Sequence, residues 1–544
     1  MHFNLKNLTM TFSITDLSLV KMRNFFERRG LILTIYFLAL LSITSFLYYY
    51  SNGLGVAYND ARSHLDIGRR VVENLKPGFA QLGSVWLPLP HLLMTVTVWN
   101  DFMWHSGLSG AIQSMVSFLA TGALIYLFLK RLGVGMIGRI TGVLVFALNM
   151  NILYMQSTAM TELLLLGTMT AGVYELMMWH RDEDMLRLIK SAFWIMLSTL
   201  IRYDGWFLFL FAVGLILFHT IRRHGYKTAE GVIILFCTMA GFGIFLWLLW
   251  NQMIFKDVLY FAFGPYSAST QQNQLEHAGV LVTKRNLYLS MKTYFYAVVY
   301  NSGFYTVLLG GLGAGMLWFD EKIEQSVRTA TLALFAPFLF NVIALYMGHS
   351  VLFIQGISGN SWFNVRYGLM MIPSIAVFIG YLIHRLKPVR FALIGLLLFV
   401  SFFAIVNSDA VTVDDARVGS SGKNVKEVSG WLKQHAKDKD GFVLISVASH
   451  DAIIFSSDLP MNRFIHEGTG LYWDLATAHP DRWARWIILR THDTNDNTYK
   501  ILQYNPVFKE DYKLVHNFPF ADIYELKPQY LSRLETKPII ANNK

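Results

Sequence analysis

A few charged residues in this chain stand inside otherwise apolar sequence, and their types define the chemistry available to it. Asp60 lies in the string Tyr58-Asn59-Asp60-Ala61-Arg62-Ser63-His64, just past the first long apolar run. A carboxylate there has two chemistries open to it: taking a proton from a hydroxyl, or ligating a cation. It also has a plain structural use, because an Asp in the first turn of a helix over 61–75 stabilises unpaired N–H groups. Glu162 closes Gln156-Ser157-Thr158-Ala159-Met160-Thr161-Glu162 and opens an apolar helix. Its structural alternative is helix capping, with Thr158 and Glu162 near a capping-box spacing. Arg202-Tyr203-Asp204-Gly205 and Phe363-Asn364-Val365-Arg366-Tyr367 supply two arginines. The planar fork of an arginine matches the oxygens of a phosphate. The alternatives are an internal pair with Asp204 for Arg202, and snorkelling to the membrane surface for Arg366. Tyr367 and His64 complete the candidate substrate contacts, although His64 and Asp66 fall on a stretch that would ordinarily be solvated.

Composition says what kind of element must hold these residues. Of 544 residues, 54% are hydrophobic and only 15% charged, and the mean hydropathy is +0.39. Soluble domains carry about a quarter charged residues. Apolar runs of about 20 residues recur along the chain, the signature of membrane-spanning helices. The net charge of +10 does not point to nucleic acid, because the basic residues sit in short clusters between apolar runs, as the positive-inside rule requires. The lone Cys237 allows neither a disulfide within the chain nor a cysteine metal site. The run 31–50 is long for a signal-peptide core and reads as a retained helix.

The basic clusters assign sides. They are Lys21 to Arg29, Lys130 to Arg139, Arg181 to Lys190, Arg222 to Lys227, Lys322 with Arg328, and Arg385 to Arg390. If all face the cytoplasm, an even number of crossings separates neighbours. Only one of 85–104 and 111–129 then spans. The first holds Pro88, Pro90, His91 and Asp101 and reads as an interfacial or re-entrant piece. The same parity makes 140–179 a hairpin with its apex at Tyr154 to Glu162, and 191–221 a hairpin with its apex at Arg202 to Gly205. Further helices fall near 229–252, 302–318, 329–348, 367–384 and 390–407, with 253–301 an outer loop rich in Tyr, Gln and Asn. The expected architecture is mainly α, a polytopic bundle of about eleven helices.

Its parts are a cytoplasmic segment 1–30, a transmembrane domain 31–407 with its first outer loop at 51–110, and an extracytoplasmic α/β domain 408–544. That last domain shows an amphipathic helix Val425 to His435 and strands near 442–447, 463–465, 486–489 and 521–526. Asp60, Glu162, Arg202 and Arg366 all fall on the outer side. An ionised side chain at mid-bilayer costs about 2.5–3.5 kcal/mol or more, so such residues should face protein, water or ligand. They are expected to gather in one water-filled pocket at the outer leaflet.

This layout resembles the GT-C superfamily of integral membrane glycosyltransferases, which includes protein O-mannosyltransferases, aminoarabinose transferases and oligosaccharyltransferase catalytic subunits. The likeness rests on Tyr58-Asn59-Asp60 in a long first outer loop followed by amphipathic helices. Glu162 matches the second acidic residue of the oligosaccharyltransferase branch. Gln81-Leu-Gly-Ser-Val-Trp-Leu-Pro-Leu-Pro-His91 and Arg202-Tyr-Asp-Gly-Trp206 look like strings of bacterial members. Ala61 follows Asp60, so the acidic pair of the O-mannosyltransferase first loop is absent. No Trp-Trp-Asp string occurs, which separates the chain from asparagine-linked oligosaccharyltransferases.

The resemblance implies a polyprenyl-phosphate-linked sugar as donor and a glycan, lipid or protein as acceptor. Catalysis would occur on the extracytoplasmic face of the cell (inner) membrane, among membrane lipids. Asp60 would be general base on the acceptor hydroxyl, the arginines would stabilise the departing phosphate, and displacement in one step would invert the anomeric centre. Metal use varies across the superfamily, so a hard-oxygen site for Mg2+ or Mn2+ on Glu162 with Asp60 stays open. Three other functions compete. A lipid-linked saccharide flippase needs polar residues across the bilayer, whereas here they concentrate at the outer side. A polysaccharide polymerase is poorly separated by sequence. A membrane anchor for a sensing domain leaves Arg202, Asp204 and Glu162 without a purpose.

Overall fold

The computed structural model of the chain describes residues 5–264, 267–277, 279–419, 425–491, 493 and 496–538, with the side chains of 5–26 and of residues 268, 271 and 449 left aside. The side chains of the basic cluster at Lys21 and Arg23, and residues 1–4 of the expected N-terminal segment, lie outside the described residues. The fold is mainly helical. Helix α1 (Leu5–Ser51) leads into a short-helix region, α2 (Asn59–Val72), α3 (Leu89–Met94) and α4 (Asp101–His105). There follow α5 (Leu108–Arg131), α6 (Met136–Ala147), α7 (Met150–Met155), α8 (Glu162–Asp182), α9 (Met185–Thr199), α10 (Tyr203–His224) and α11 (Tyr226–Phe255). After the short α12 (Tyr260–Phe263) and α13 (Ala268–His277) come α14 (Leu287–Ser302), α15 (Phe304–Phe319), α16 (Gln325–Thr331), α17 (Ala336–Met347), α18 (Ile372–Arg385) and α19 (Arg390–Val406).

Among the described residues, seven helical segments are long and apolar enough to cross a membrane, and α14 with α15 form a further pair bent by 109°. The chain is therefore an integral, multi-pass membrane protein. Helices α6, α8 and α9, shorter or more polar, pack within the same bundle against α5, α18 and one another. Together these segments give the expected helix number of about eleven. Of the expected hairpins, 191–221 is an antiparallel packed pair, α9 on α10, whereas the two helices of 140–179, α6 and α8, each pack on α5 rather than on one another; the Pro-rich 85–104 piece forms only the short α3 and α4. The outer-loop reading of 253–301 is corrected in its second half: α14 is a helix. Gly303, with φ +81°, turns the chain sharply from α14 into α15. Helix α14 supports a 3-10 stretch, Val365–Met371, that precedes α18. Asn301 Nδ2 donates to the Val365 carbonyl at 2.7 Å, and Gly368 lies so close to the Ala297 carbonyl that a Cβ would collide.

After α19 the chain forms α20 (Val411–Arg417), which packs on α7 and on 365–371. Asn151 of α7 accepts bonds from Thr412 N at 3.0 Å and Thr412 Oγ1 at 2.8 Å. The C-terminal part then contributes α21 (Lys426–His435) and strands β1 (Phe442–Leu444), β2 (Phe464–Ile465), β3 (Ala484–Leu489), β4 (Tyr512–Asn517) and β5 (Asp522–Leu526). The sheet order is β2-β1-β3-β5-β4. Strand β1 runs parallel to β2 and β3, and β5 runs antiparallel to β3 and β4. The helix and four strands expected from sequence are present, and β4 is an addition.

The carboxyl ends of β1 and β2 meet the first loop region. Asp451, beyond β1, accepts from Ser63 Oγ of α2 at 2.8 Å. His466, beyond β2, lies 3.3 Å from the Asn74 amide, and Gln81 donates to the Gly468 carbonyl at 2.7 Å. The α/β part thus covers α2, which carries Asp60.

Candidate active site

Four separate stretches place charged residues in one cluster, and Arg366 is its hub. Its Nη2 donates to Asp60 Oδ2 at 2.5 Å, and its Nε donates to Glu162 Oε1 at 2.9 Å. Arg202 Nη1 reaches the same Glu162 oxygen at 3.2 Å, and its Nε donates to Asp204 Oδ2 at 3.2 Å. The backbone explains the convergence. Asn364 adopts φ +55°, a left-handed conformation that Asn tolerates, and turns the chain so that Arg366 enters the bundle. Gly205 lies against the Ser198–Thr199 backbone, where a Cβ would collide. That closeness folds α9 onto α10 and holds Arg202 beside the start of α8.

The local structural alternatives do not account for these side chains. No side-chain cap bond forms at the start of α2 or of α8. Asp60 does lie in the first turn of α2, but its carboxylate is held by Arg366. Arg366 is not at the surface: its side chain is 3% exposed and Glu162 is fully buried. Arg202 does pair with Asp204, as its alternative proposed, and bonds Glu162 as well. Two aromatic rings back the guanidinium groups, Tyr58 at 4.9 Å from Arg366 and Tyr367 at 4.8 Å from Arg202. A cation over such a ring is stabilised by the ring's quadrupole.

The cluster is graded from buried to exposed, with Glu162, Arg366 and Asp204 inside the protein. Asp60, 39% exposed, and Arg202, 20% exposed, are its members that reach solvent. It also holds more polar atoms than it pairs. Glu162 Oε2, Asp204 Oδ1, Arg366 Nη1 and Asn59 Oδ1 are buried with no hydrogen-bond partner. An unpaired buried polar atom costs about 1–3 kcal/mol, so these groups are a cost to the fold that the ion pairs around them do not remove.

His64, expected to be solvated, is buried on α2, as is Asp66. His64 lies one helical turn after Asp60. Its Nδ1 is 2.8 Å from His91 Nε2, and Trp86 lies against its ring at 4.3 Å. Burial, and then the charges of Arg366 and Arg202, push its pKa down to about 3. His64 is therefore a neutral imidazole at physiological pH. Asp66 accepts from Trp104 Nε1 at 3.1 Å. Burial and the nearby Asp451 hold its carboxyl well above the usual range.

A Mg2+ or Mn2+ site here does not fit. Asp60 and Glu162 each bind Arg366, so a guanidinium stands between the two oxygens a cation would need. Among the described residues no group of three or more His, Cys, Asp or Glu is arranged to hold a metal.

Three residues with a part in the site were not singled out from sequence. Tyr58 is fully buried; its hydroxyl donates to the Thr412 carbonyl at 2.9 Å and to Asp415 Oδ2 at 3.1 Å, tying the site to α20. His91 orients His64, and Asp451 fixes α2 through Ser63. A buried aromatic two residues before Asp60 was visible in the sequence, but nothing local signalled the other two.

No protein-family model matches the sequence, and it has no match among curated proteins. Its structure is similar to that of ArnT from Cupriavidus metallidurans bound to undecaprenyl phosphate, with a TM-score of 0.54 at 12% identity over 92% of this chain and 99% of that one. The apo state of the same protein gives 0.50 at 12% identity, over 90% and 99%. An oligosaccharyltransferase from Archaeoglobus fulgidus in the apo form aligns over 85% of this chain and 70% of that one, at 9% identity and a TM-score of 0.48. The likeness to ArnT is one of fold, and it bears out the mainly helical membrane bundle expected from the sequence.

Proposed function

We propose that this chain is a GT-C-type glycosyltransferase that moves a sugar from a polyprenyl-phosphate-linked donor to an acceptor hydroxyl, with inversion, on the extracytoplasmic face of the cell membrane. The observation that carries the reading is a solvent-reaching carboxylate, Asp60, locked to a buried arginine that has a further N–H to spare. The fold shared with a protein captured with undecaprenyl phosphate supports the lipid class of the donor.

In this reading the donor's apolar tail stays in lipid beside the bundle and its phosphate lies against Arg202 and Arg366. Asp60 accepts the proton of the acceptor hydroxyl, a role worth about 10²–10⁴-fold in rate. The hydroxyl oxygen forms a bond to the anomeric carbon while the bond from that carbon to the phosphate oxygen breaks, and the electron pair leaves with the polyprenyl phosphate. Arg366 Nη1 and the exposed part of Arg202 are placed to meet the charge that grows on the leaving phosphate. Neutral His64 accepts a hydrogen bond from a sugar hydroxyl without adding charge. The acceptor is a glycan, lipid or protein hydroxyl reaching the site beneath the α/β part.

The test is transfer by the purified full chain in proteoliposomes, supplied with a panel of polyprenyl-phosphate sugars and a cell-envelope acceptor fraction. The reading expects release of polyprenyl phosphate with a product of opposite anomeric configuration. Retention of configuration, or the absence of release across the panel, contradicts it.

A further inference from the structure

At the basic end of the bundle, away from Asp60, a cavity of about 600 Å³ is lined by Glu27, Gly135, Met136, Gly138, His384 and Arg390 among others. It lies where α1, α6, α18 and α19 meet. One turn along the same two helices a shallow apolar cleft begins. Its walls are Thr141, Leu144 and Leu148 of the α6 segment and Ile394, Leu397 and Ser401 of α19. Gly138 to Thr141 is one turn of α6, and Arg390 to Ile394 is one turn of α19, so cavity and cleft form one furrow with a polar mouth and an apolar floor. Helix α19 packs on α18 and leaves most of its surface exposed, so the furrow is open to the bilayer.

The mouth is a donor site. The Gly135 N–H donates to His384 Nδ1 at 3.1 Å, so the neutral ring carries its proton on Nε2. Arg390 Nε is buried without a partner, with its guanidinium over Phe391 at 4.8 Å. Glu27, the acidic residue of the lining, is held by Arg139 at 2.8 Å. Arg385 and Lys387 add charge nearby, Arg385 being paired with Asp320 at 3.1 Å. The mouth is thus cationic with N–H groups to spare. From Arg390 to Ser401 α19 rises about 16 Å, close to half of the roughly 30 Å hydrocarbon core. That is the depth of one acyl chain in one leaflet, far short of a polyprenyl tail.

We infer that this furrow binds one anionic glycerophospholipid of the leaflet at the basic end. Its phosphate sits against Arg390 and His384, and one acyl chain lies between α6 and α19. The site is separate from the Asp60 cluster and does not depend on the reaction proposed there.

Native mass spectrometry of the detergent-solubilised full chain tests it, with dioleoylphosphatidylglycerol, dioleoylphosphatidylcholine or polyprenyl phosphate titrated in. The expected result is one saturable phosphatidylglycerol adduct, with phosphatidylcholine weaker. Arg390→Ala combined with His384→Ala should weaken the adduct about tenfold, since it removes a cation beside the anionic headgroup together with the Nε2–H donor of a neutral imidazole. Ser401→Trp fills the cleft, leaves the polar mouth intact, and should weaken it as well. The thermal unfolding midpoint of each lipid-free variant shows that the fold is kept. Equal adducts for wild type and both variants, equal binding of the two phospholipids, or displacement of phosphatidylglycerol by equimolar polyprenyl phosphate would each overturn the assignment.

Discussion

Helix α8 begins at Glu162 and is capped at its C-terminus by Glu183, and the two glutamates are held in different ways. Glu183 sits in a solvent-reaching patch where both oxygens are spent: Oε1 on His219 at 3.1 Å and Arg223 at 2.9 Å, Oε2 on His224 at 2.9 Å. All three partners lie on α10, so the contact fastens one helix end to another. Glu162 is fully buried and shares one oxygen between Arg366 and Arg202, which come from distant parts of the chain, while its other oxygen has no partner. The same ion-pair chemistry thus serves as a fastening at one end and an incomplete, desolvated cluster at the other. What separates them is not the number of charges but what is left unpaired once they have met.

The largest contrast should come from the hub. Arg366→Ala takes the guanidinium from Asp60 and leaves the wholly buried Glu162 with Arg202 as its remaining ion-pair partner. Removing one partner of a buried pair costs about 3–5 kcal/mol, so folded yield in membranes should fall sharply and transfer should be lost. Arg366→Lys keeps the charge but not the fork; it should fold, with donor KM raised more than kcat is lowered. Unchanged donor KM in the lysine variant would remove Arg366 from phosphate binding.

Glu162→Gln comes next. It frees both arginines from a shared anion, and transfer should drop at least tenfold with a clear loss of thermal stability. An effect no larger than that of Glu183→Gln would erase the distinction between the two ends.

His64 separates the ends by pH. Its pKa of about 3 lies below the unfolded value of 6.5. Keeping it neutral favours the fold above pH 6.5, and that contribution is lost as pH falls toward 3, by up to about 1.4 kcal/mol per pH unit. His64→Asn should make the unfolding midpoint less sensitive to acid and keep more transfer than His64→Phe, because Asn still offers an acceptor oxygen. Identical acid sensitivity of His64→Asn and wild type would mean that the imidazole is not held neutral. Smallest of all, Glu183→Gln should change stability by under about 1 kcal/mol, as exposed pairs do, and leave transfer within twofold.

Much of the bundle was legible because apolar runs and basic clusters are local signals. Breaks between helices at 154–162 and 202–205 were expected from charge parity, and helices α8 and α10 begin there. The pairing was not legible. Asp60 and Arg366 are 306 positions apart and Glu162 and Arg366 are 204 apart, and nothing in either string names its partner. His64 and Asp66 read as solvated because their helix is polar, yet the α/β part covers it through Asp451 and His466. The arginine between Asp60 and Glu162 was invisible for the same reason: neither carboxylate's own string shows that both bond Arg366. Strand β4 was missed because it is a sheet edge with mostly exposed side chains, which removes the apolar alternation that marks a strand. Helix α14 was missed because it lies in a long stretch rich in Tyr, Gln and Asn, whose composition reads as a loop.

The most direct test is the rate of sugar transfer by Asp60→Asn, measured beside wild type and Glu183→Gln at equal protein level in proteoliposomes with a polyprenyl-phosphate sugar. The account predicts a loss of at least about a hundredfold for Asp60→Asn and none for Glu183→Gln. Near-normal transfer by Asp60→Asn would contradict it.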